Sequence, residues 1–121
     1  MYINLNDLIC YMESYSNAYF CLEQYECYYE NELLSEKSSY LTIPKINEAT
    51  MIKVFIEQAN KLELNKLLKE QLNLLNNFHR QINVLDIYEE WIDFRTEYYL
   101  KVAAQWCKVN DIKFTAKVRH K

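Results

Sequence analysis

DIYEEWIDFRTEYYLKVAAQWCKV, residues 86–109, is the stretch on which the fold turns. At about 100° per residue, Ile87, Tyr88, Trp91, Ile92, Phe94, Tyr98, Tyr99, Val102, Ala103 and Trp106 fill an arc of roughly 180°, as in a helix with one buried side. Glu89, Glu90, Asp93, Glu97 and Lys108 fall opposite and make a solvated face. The spacing predicts a central helix from about Asp86 to Val109. Arg95 lies in the middle of the apolar arc. A guanidinium keeps its proton and is costly to bury alone, so Arg95 has to meet a carboxylate, carbonyls, an aromatic face or a partner from outside. Trp91, Arg95 and Trp106 are therefore expected to be structural, with Trp106 between this helix and a sheet.

Before this helix, two further apolar runs have helical spacing. Met51, Ile52, Phe55, Ala59 and Leu62 make one, with Asn47 as its cap, and Leu64, Leu67, Leu68, Leu72, Leu75, Phe78 and Ile82 make the other. At the start of the chain, Asn4 can cap a helix reaching about Glu13, with Asp7 near its positive end and Ile3 stapled onto Leu8. After Ser14–Asn17 the pattern changes. AYFCLEQYECYYE, residues 18–30, alternates as two short strands around Gln24 and Tyr25. Residues 31–39 are polar and acidic, as in a solvated loop, and YLTIP from Tyr40 makes a third strand stopped by Pro44. The expected fold is α+β: an antiparallel sheet of about three strands packed against about four helices. Residues 1–121 are expected to form a single domain, with 113–121 as a basic tail.

Composition narrows the functions open to the chain. There is no Gly, which removes the phosphate-cradling loops of P-loop and dinucleotide-binding proteins and leaves left-handed turns to Asn or Asp. The start MYINLNDL is no secretory signal, and no apolar run nears the roughly 20 residues that span a bilayer. A cytoplasmic protein without a membrane span is expected, and the richness in Asn, Ile, Lys and Tyr points to an AT-rich genome such as that of a bacterium or its phage. Cys10, Cys21, Cys27 and Cys107 lack the CxxC spacing of a zinc knuckle and read as reduced, partly buried thiols. The first 48 residues hold eight acids against two bases, and the rest hold nine acids against twelve bases. That asymmetry predicts a dipolar molecule.

EEWIDFRTEYYLKVAAQWCKVNDI, residues 89–112, resembles the C-terminal signature of a bacterial family of unknown function, uncharacterised protein family 0158, through Glu90-Trp91, Phe94-Arg95, Ala103, Trp106-Cys107 and Asn110 before Ile112. LNDLICYM, YLTIP and MIKVFIEQ resemble that family's opening helix, short strand and next helix. The hairpin departs from it, having Gln24-Tyr25 where the family usually has a Gly-containing turn. The resemblance implies an α+β fold and brings no activity or catalytic residue with it.

Catalytic and cofactor chemistry find little footing. His79 flanks an apolar stripe and His120 lies in the tail, with no His-x-x-Glu pairing for a metal. Cys107, near the C-terminal pole of its helix, lacks the environment that would activate a thiol. No catalytic, metal or cofactor residue is therefore assigned. Eleven Tyr and two Trp remain as large contact surfaces. Tyr25, Tyr28 and Tyr29 alternate with Glu23, Glu26 and Glu30 and lie near Tyr11 and Tyr15. They read either as packing of the sheet onto the helices or as an acidic aromatic patch for a basic protein partner, with Glu23, Tyr25, Glu26, Tyr28 and Tyr29 as contact residues. The favoured expectation is a non-enzymatic protein-binding or regulatory module. The alternative is a nucleic-acid-associated protein using Lys113, Lys117, Arg119, His120 and Lys121.

Overall fold

The computed structural model describes residues 1–33, 39–59, 61, 63–66 and 74–116. Most of the expected acidic loop, the tail from 117 onward, and Leu62, Leu67, Leu68 and Leu72 lie outside the described residues. The fold is α+β, with a three-stranded antiparallel sheet and a small parallel pair of strands. The chain divides into two compact units, one made of residues 1–46 with 99–121 and the other of 47–98.

The first unit begins with β1 (Ile3–Asn4), which runs directly into α1 (Leu5–Glu13). The Asn4 side chain accepts the Asn6 N–H at 2.9 Å, so the expected cap forms. Leu5, Leu8 and Met12 give α1 its buried side. The sheet has the order β3-β2-β4, made of β2 (Ala18–Cys21), β3 (Glu26–Tyr29) and β4 (Leu41–Thr42). Tyr19 pairs with Tyr28 on one side and Thr42 on the other, and Ala18, Tyr19 and Phe20 are all buried in this central strand. At the other end of the unit, β5 (Phe114–Thr115) pairs in parallel with β1, Ile3 against Phe114. The Ile3 N–H donates to the Lys113 carbonyl at 3.0 Å. What reads as the start of a basic tail is thus partly strand.

α2 (Glu48–Ala59), a helical turn at 63–66 and α3 (Leu74–Val84) build the second unit, together with the first half of α4 (Tyr88–Val109). Asn47 caps α2 through the Thr50 N–H at 3.1 Å. Its core is aromatic: the Trp91 ring lies 4.7 Å from Phe78 and 5.2 Å from Phe55, both edge-on. That edge-to-face geometry suits the ring quadrupoles.

α4 is a single helix, but its apolar arc is not uniformly covered. Ile87, Trp91, Tyr99, Ala103 and Cys107 are buried, whereas Tyr88 and Ile92 are exposed, contrary to the 180° reading. The buried stripe is narrower than the full arc, its residues recurring at steps of four or eight. Trp106 is half-buried, with its ring edge-on to Phe20 of the sheet at 5.9 Å. Arg95 is also half-buried, so it keeps part of its hydration and is not the fully buried charge its position suggests. Glu89, Glu90, Asp93, Glu97 and Lys108 are exposed, as the pattern requires.

Two aspartates do the work of the absent glycines. Asp86 (φ 54°) and Asp111 (φ 59°) adopt the left-handed conformation just past α3 and α4. The N–H of Ile87 then reaches back to the Ile82 carbonyl at 3.2 Å, and that of Ile112 to Cys107 at 2.8 Å. These are Schellman closures, each with a buried isoleucine after the turn. The third left-handed residue is Tyr25 (φ 54°), where Asn or Asp is expected.

The charge asymmetry along the chain does not separate the two units. By sequence count the first unit carries eight acidic and eight basic residues, and the second carries nine and six. The acidic hairpin and the basic tail belong to the same unit, so any acidic surface there is local.

Candidate protein-binding surface

The hairpin turn Leu22–Tyr25 places the expected contact residues in distinct surroundings. The Tyr25 N–H donates to the Cys21 carbonyl at 2.8 Å, closing the turn around the left-handed residue. The Tyr25 ring then folds back edge-on to Phe20 at 5.4 Å, and its hydroxyl oxygen accepts the Lys113 N–H at 3.0 Å. Glu23 is exposed within the turn.

Tyr28 and Tyr29 do not form a free aromatic patch. The Tyr28 hydroxyl donates to Glu26 Oε2 at 2.8 Å and also lies against Gln24 Oε1, while its ring meets Tyr40 edge-on at 6.2 Å. The hydrogen bond to Glu26 pushes the Tyr28 phenol up to about 12, because the neutral form supplies the donated proton. Tyr29 lies 4.8 Å from Tyr11 of α1, and its N–H donates to Glu32 at 2.8 Å. Both rings are half-buried, Tyr28 against Tyr40 and Tyr29 against Tyr11.

Tyr25 and Glu26 open instead into a solvent-facing cleft of about 460 Å³ between β1, α1 and the start of β3. Tyr2, Ile3, Asp7, Cys10, Tyr11 and Cys27 complete its lining. No basic side chain is among these residues. Asp7 and Glu26 are exposed, and the Asp7 carboxylate has no hydrogen bond or ion pair among the described residues. Burial raises the Tyr11 phenol, and the neighbouring Cys27, Glu32, Tyr29 and Asp7 raise it further in their anionic forms. Burial, reinforced by Asp7, pushes the Cys27 thiol up to about 12. A cation entering this cleft therefore meets carboxylate and phenol oxygens and no basic side chain among the described lining residues.

The cleft gathers Tyr25 and Glu26 but not Glu23, Tyr28 or Tyr29 as wall residues. Tyr2, Asp7, Cys10 and Cys27 are lining residues that sequence spacing leaves unassigned. The only local signal was Asp7, which reads equally well as a partner of the α1 dipole. Elsewhere, His79 is exposed beside Phe78, and all four cysteines are free. No helix among the described residues is long and apolar enough to cross a membrane. A scan against protein-family models finds no match, and no curated protein or solved structure is significantly similar to the chain.

Proposed function

We propose that this chain is a non-enzymatic, cytoplasmic protein-binding module of a bacterium or its phage that recognises a basic segment of a partner protein. The observation that carries this reading is the cleft between α1 and the hairpin, where two exposed carboxylates share an opening with three tyrosines and no basic side chain among the described lining residues. Charge complementarity of this kind steers encounter and selects partners, and aromatic walls add contact area at modest entropic cost. The resemblance to uncharacterised protein family 0158 is compatible with such a role and names no activity.

Affinity capture from the host with nuclease controls tests it. Asp7→Lys with Glu26→Lys is expected to reduce capture of a protein partner by about tenfold or more at low salt, since like charges then face each other. Truncation after Ala116 is expected to leave capture unchanged. The cut belongs there because removing Lys113–Thr115 would also delete β5 and the bond to Tyr25. Capture that survives the double reversal, but is lost on truncation and on nuclease treatment, would replace this reading with nucleic-acid binding through residues 117–121.

A further inference from the structure

We propose that the cleft is an arginine receptor: it takes the guanidinium of one arginine in an exposed segment of the partner. This rests on the protein-binding reading above and specifies its ligand. The lining carries two carboxylate acceptors held on separate elements, Asp7 in the first turn of α1 and Glu26 opening β3. Glu26 spends one oxygen on the Tyr28 hydroxyl, leaving the other for a guest. Tyr25 is fixed from behind, by its edge contact to Phe20 and by the Lys113 N–H on its hydroxyl oxygen. Tyr11 is held likewise by Tyr29. The cleft thus offers preset phenol rings flanked by carboxylates.

A guest for such a site must donate in several directions and tolerate aromatic surroundings. Guanidinium has five N–H donors in one plane, is weakly hydrated and stacks on aromatic faces. An ammonium is a compact, strongly hydrated point charge, and an open cleft does little to strip its water. A volume near 460 Å³ also leaves room for backbone on either side of the side chain, so a short exposed segment suits it better than a free amino acid.

The test uses the full chain and three capped tripeptides, Ac-Ala-Arg-Ala-NH2 and its lysine and citrulline counterparts, titrated by NMR at low salt. The arginine peptide is expected to move the resonances of Asp7, Tyr11, Tyr25 and Glu26, with the lysine peptide about fivefold weaker and the neutral citrulline peptide without saturable effect. Asp7→Asn and Glu26→Gln, which keep side-chain shape, are each expected to weaken the arginine peptide about fivefold. Equal binding of arginine and lysine peptides, equal binding of citrulline, or shifts confined to other residues would overturn the proposal. Should the peptides show no arginine preference while Asp7→Lys with Glu26→Lys still abolishes partner capture, arginine specificity falls and the protein-binding reading stands. If capture also survives the reversal, both fall.

Discussion

Tyr25 shows how a single residue can be held in a conformation its own chemistry disfavours. The left-handed region costs an L-residue about 1–2 kcal/mol, and Tyr25 occupies it at φ 54°. Against that stand its ring contact with Phe20 and the hydrogen bond from Lys113, 88 residues away. Truncating a fully buried aromatic costs about 3–5 kcal/mol, and a half-buried one roughly half as much. Packing therefore wins narrowly. Tyr25→Gly is expected to destabilise by about 1–2 kcal/mol despite relieving the backbone, and Tyr25→Phe by about 1 kcal/mol for the hydrogen bond alone. Urea denaturation measures both, and a Tyr25→Gly chain more stable than its parent would show that backbone strain dominates. Sequence reasoning leaves left-handed turns to Asn or Asp without naming positions, and the structure puts Asp at 86, which the helical pattern reads as the start of the last helix, and at 111. It misses Tyr25 because the compensating contacts come from remote parts of the chain. Thiols supply a second measurement at this scale. Cys10 is exposed, while burial pushes Cys27 up to about 12 and Cys107 up to about 11 from the ordinary 9.0. At about pH 8 a disulfide reagent is expected to titrate Cys10 well ahead of Cys27 and Cys107, because thiolate is the reactive form. Both raised values favour the neutral thiol in the folded state. Their contribution to stability is therefore intact below pH 9.0 and is lost as pH climbs towards 11 and 12. Equal labelling of all cysteines at neutral pH would contradict the burial.

At the scale of elements, α1 is the wall that the cleft depends on, and both of its ends are tied. Asn4 caps the start, and the Lys45 ammonium donates to the Tyr11 and Ser14 carbonyls at 2.7 and 2.6 Å at the finish. A cation placed on the last carbonyls also offsets the negative end of the helix dipole. Asn4→Ala is expected to cost about 1 kcal/mol, and Lys45→Met, which keeps most of the stem, about 1 kcal/mol given the solvent exposure of the pair. The two sites are remote and share no partner, so their effects should add in the double variant. Amide hydrogen exchange across Leu5–Glu13 should rise in each variant, and unchanged exchange would mean that tertiary packing alone holds the helix. α1, the hairpin, β4 and α2 are legible in sequence because caps, alternation and Pro44 act within a few residues. The β1–β5 pair is not. Two residues carry no periodicity, and parallel strands meet only through long connections. That pair brings Tyr2 and Ile3 to the cleft beside Tyr25, so these two of its eight described lining residues could not be found by spacing. The hairpin residues were found, but the packing of Tyr28 and Tyr29 against Tyr40 and Tyr11 divides them between structure and surface.

For the whole molecule, the organising feature is α4, whose residues 88–98 belong to one unit and 99–109 to the other. Its helical period identifies it from sequence, but periodicity cannot reveal that its two halves serve different cores. Tyr88 and Ile92 of the first half are exposed, and Trp106 of the second is half-buried. Truncating Trp106 to Ala is accordingly expected to cost less than the roughly 3–5 kcal/mol of a fully buried aromatic, leaving a folded chain by far-UV circular dichroism. An insoluble product would restore Trp106 to the core. The same helix also makes the molecule its own optical gauge. The chain has two tryptophans, and α4 puts one in each unit: Trp91, shielded by phenylalanines, and Trp106, partly in water. Trp91→Phe leaves a fluorophore that watches only the sheet-bearing unit, and Trp106→Phe leaves one that watches only the helical unit. With emission at bluer wavelengths from Trp91 than from Trp106, denaturation curves of the two variants can time the loss of each unit separately. A continuous helix shared by both makes coincident transitions the expected result, and a clear separation in midpoint would reveal a half-lit intermediate.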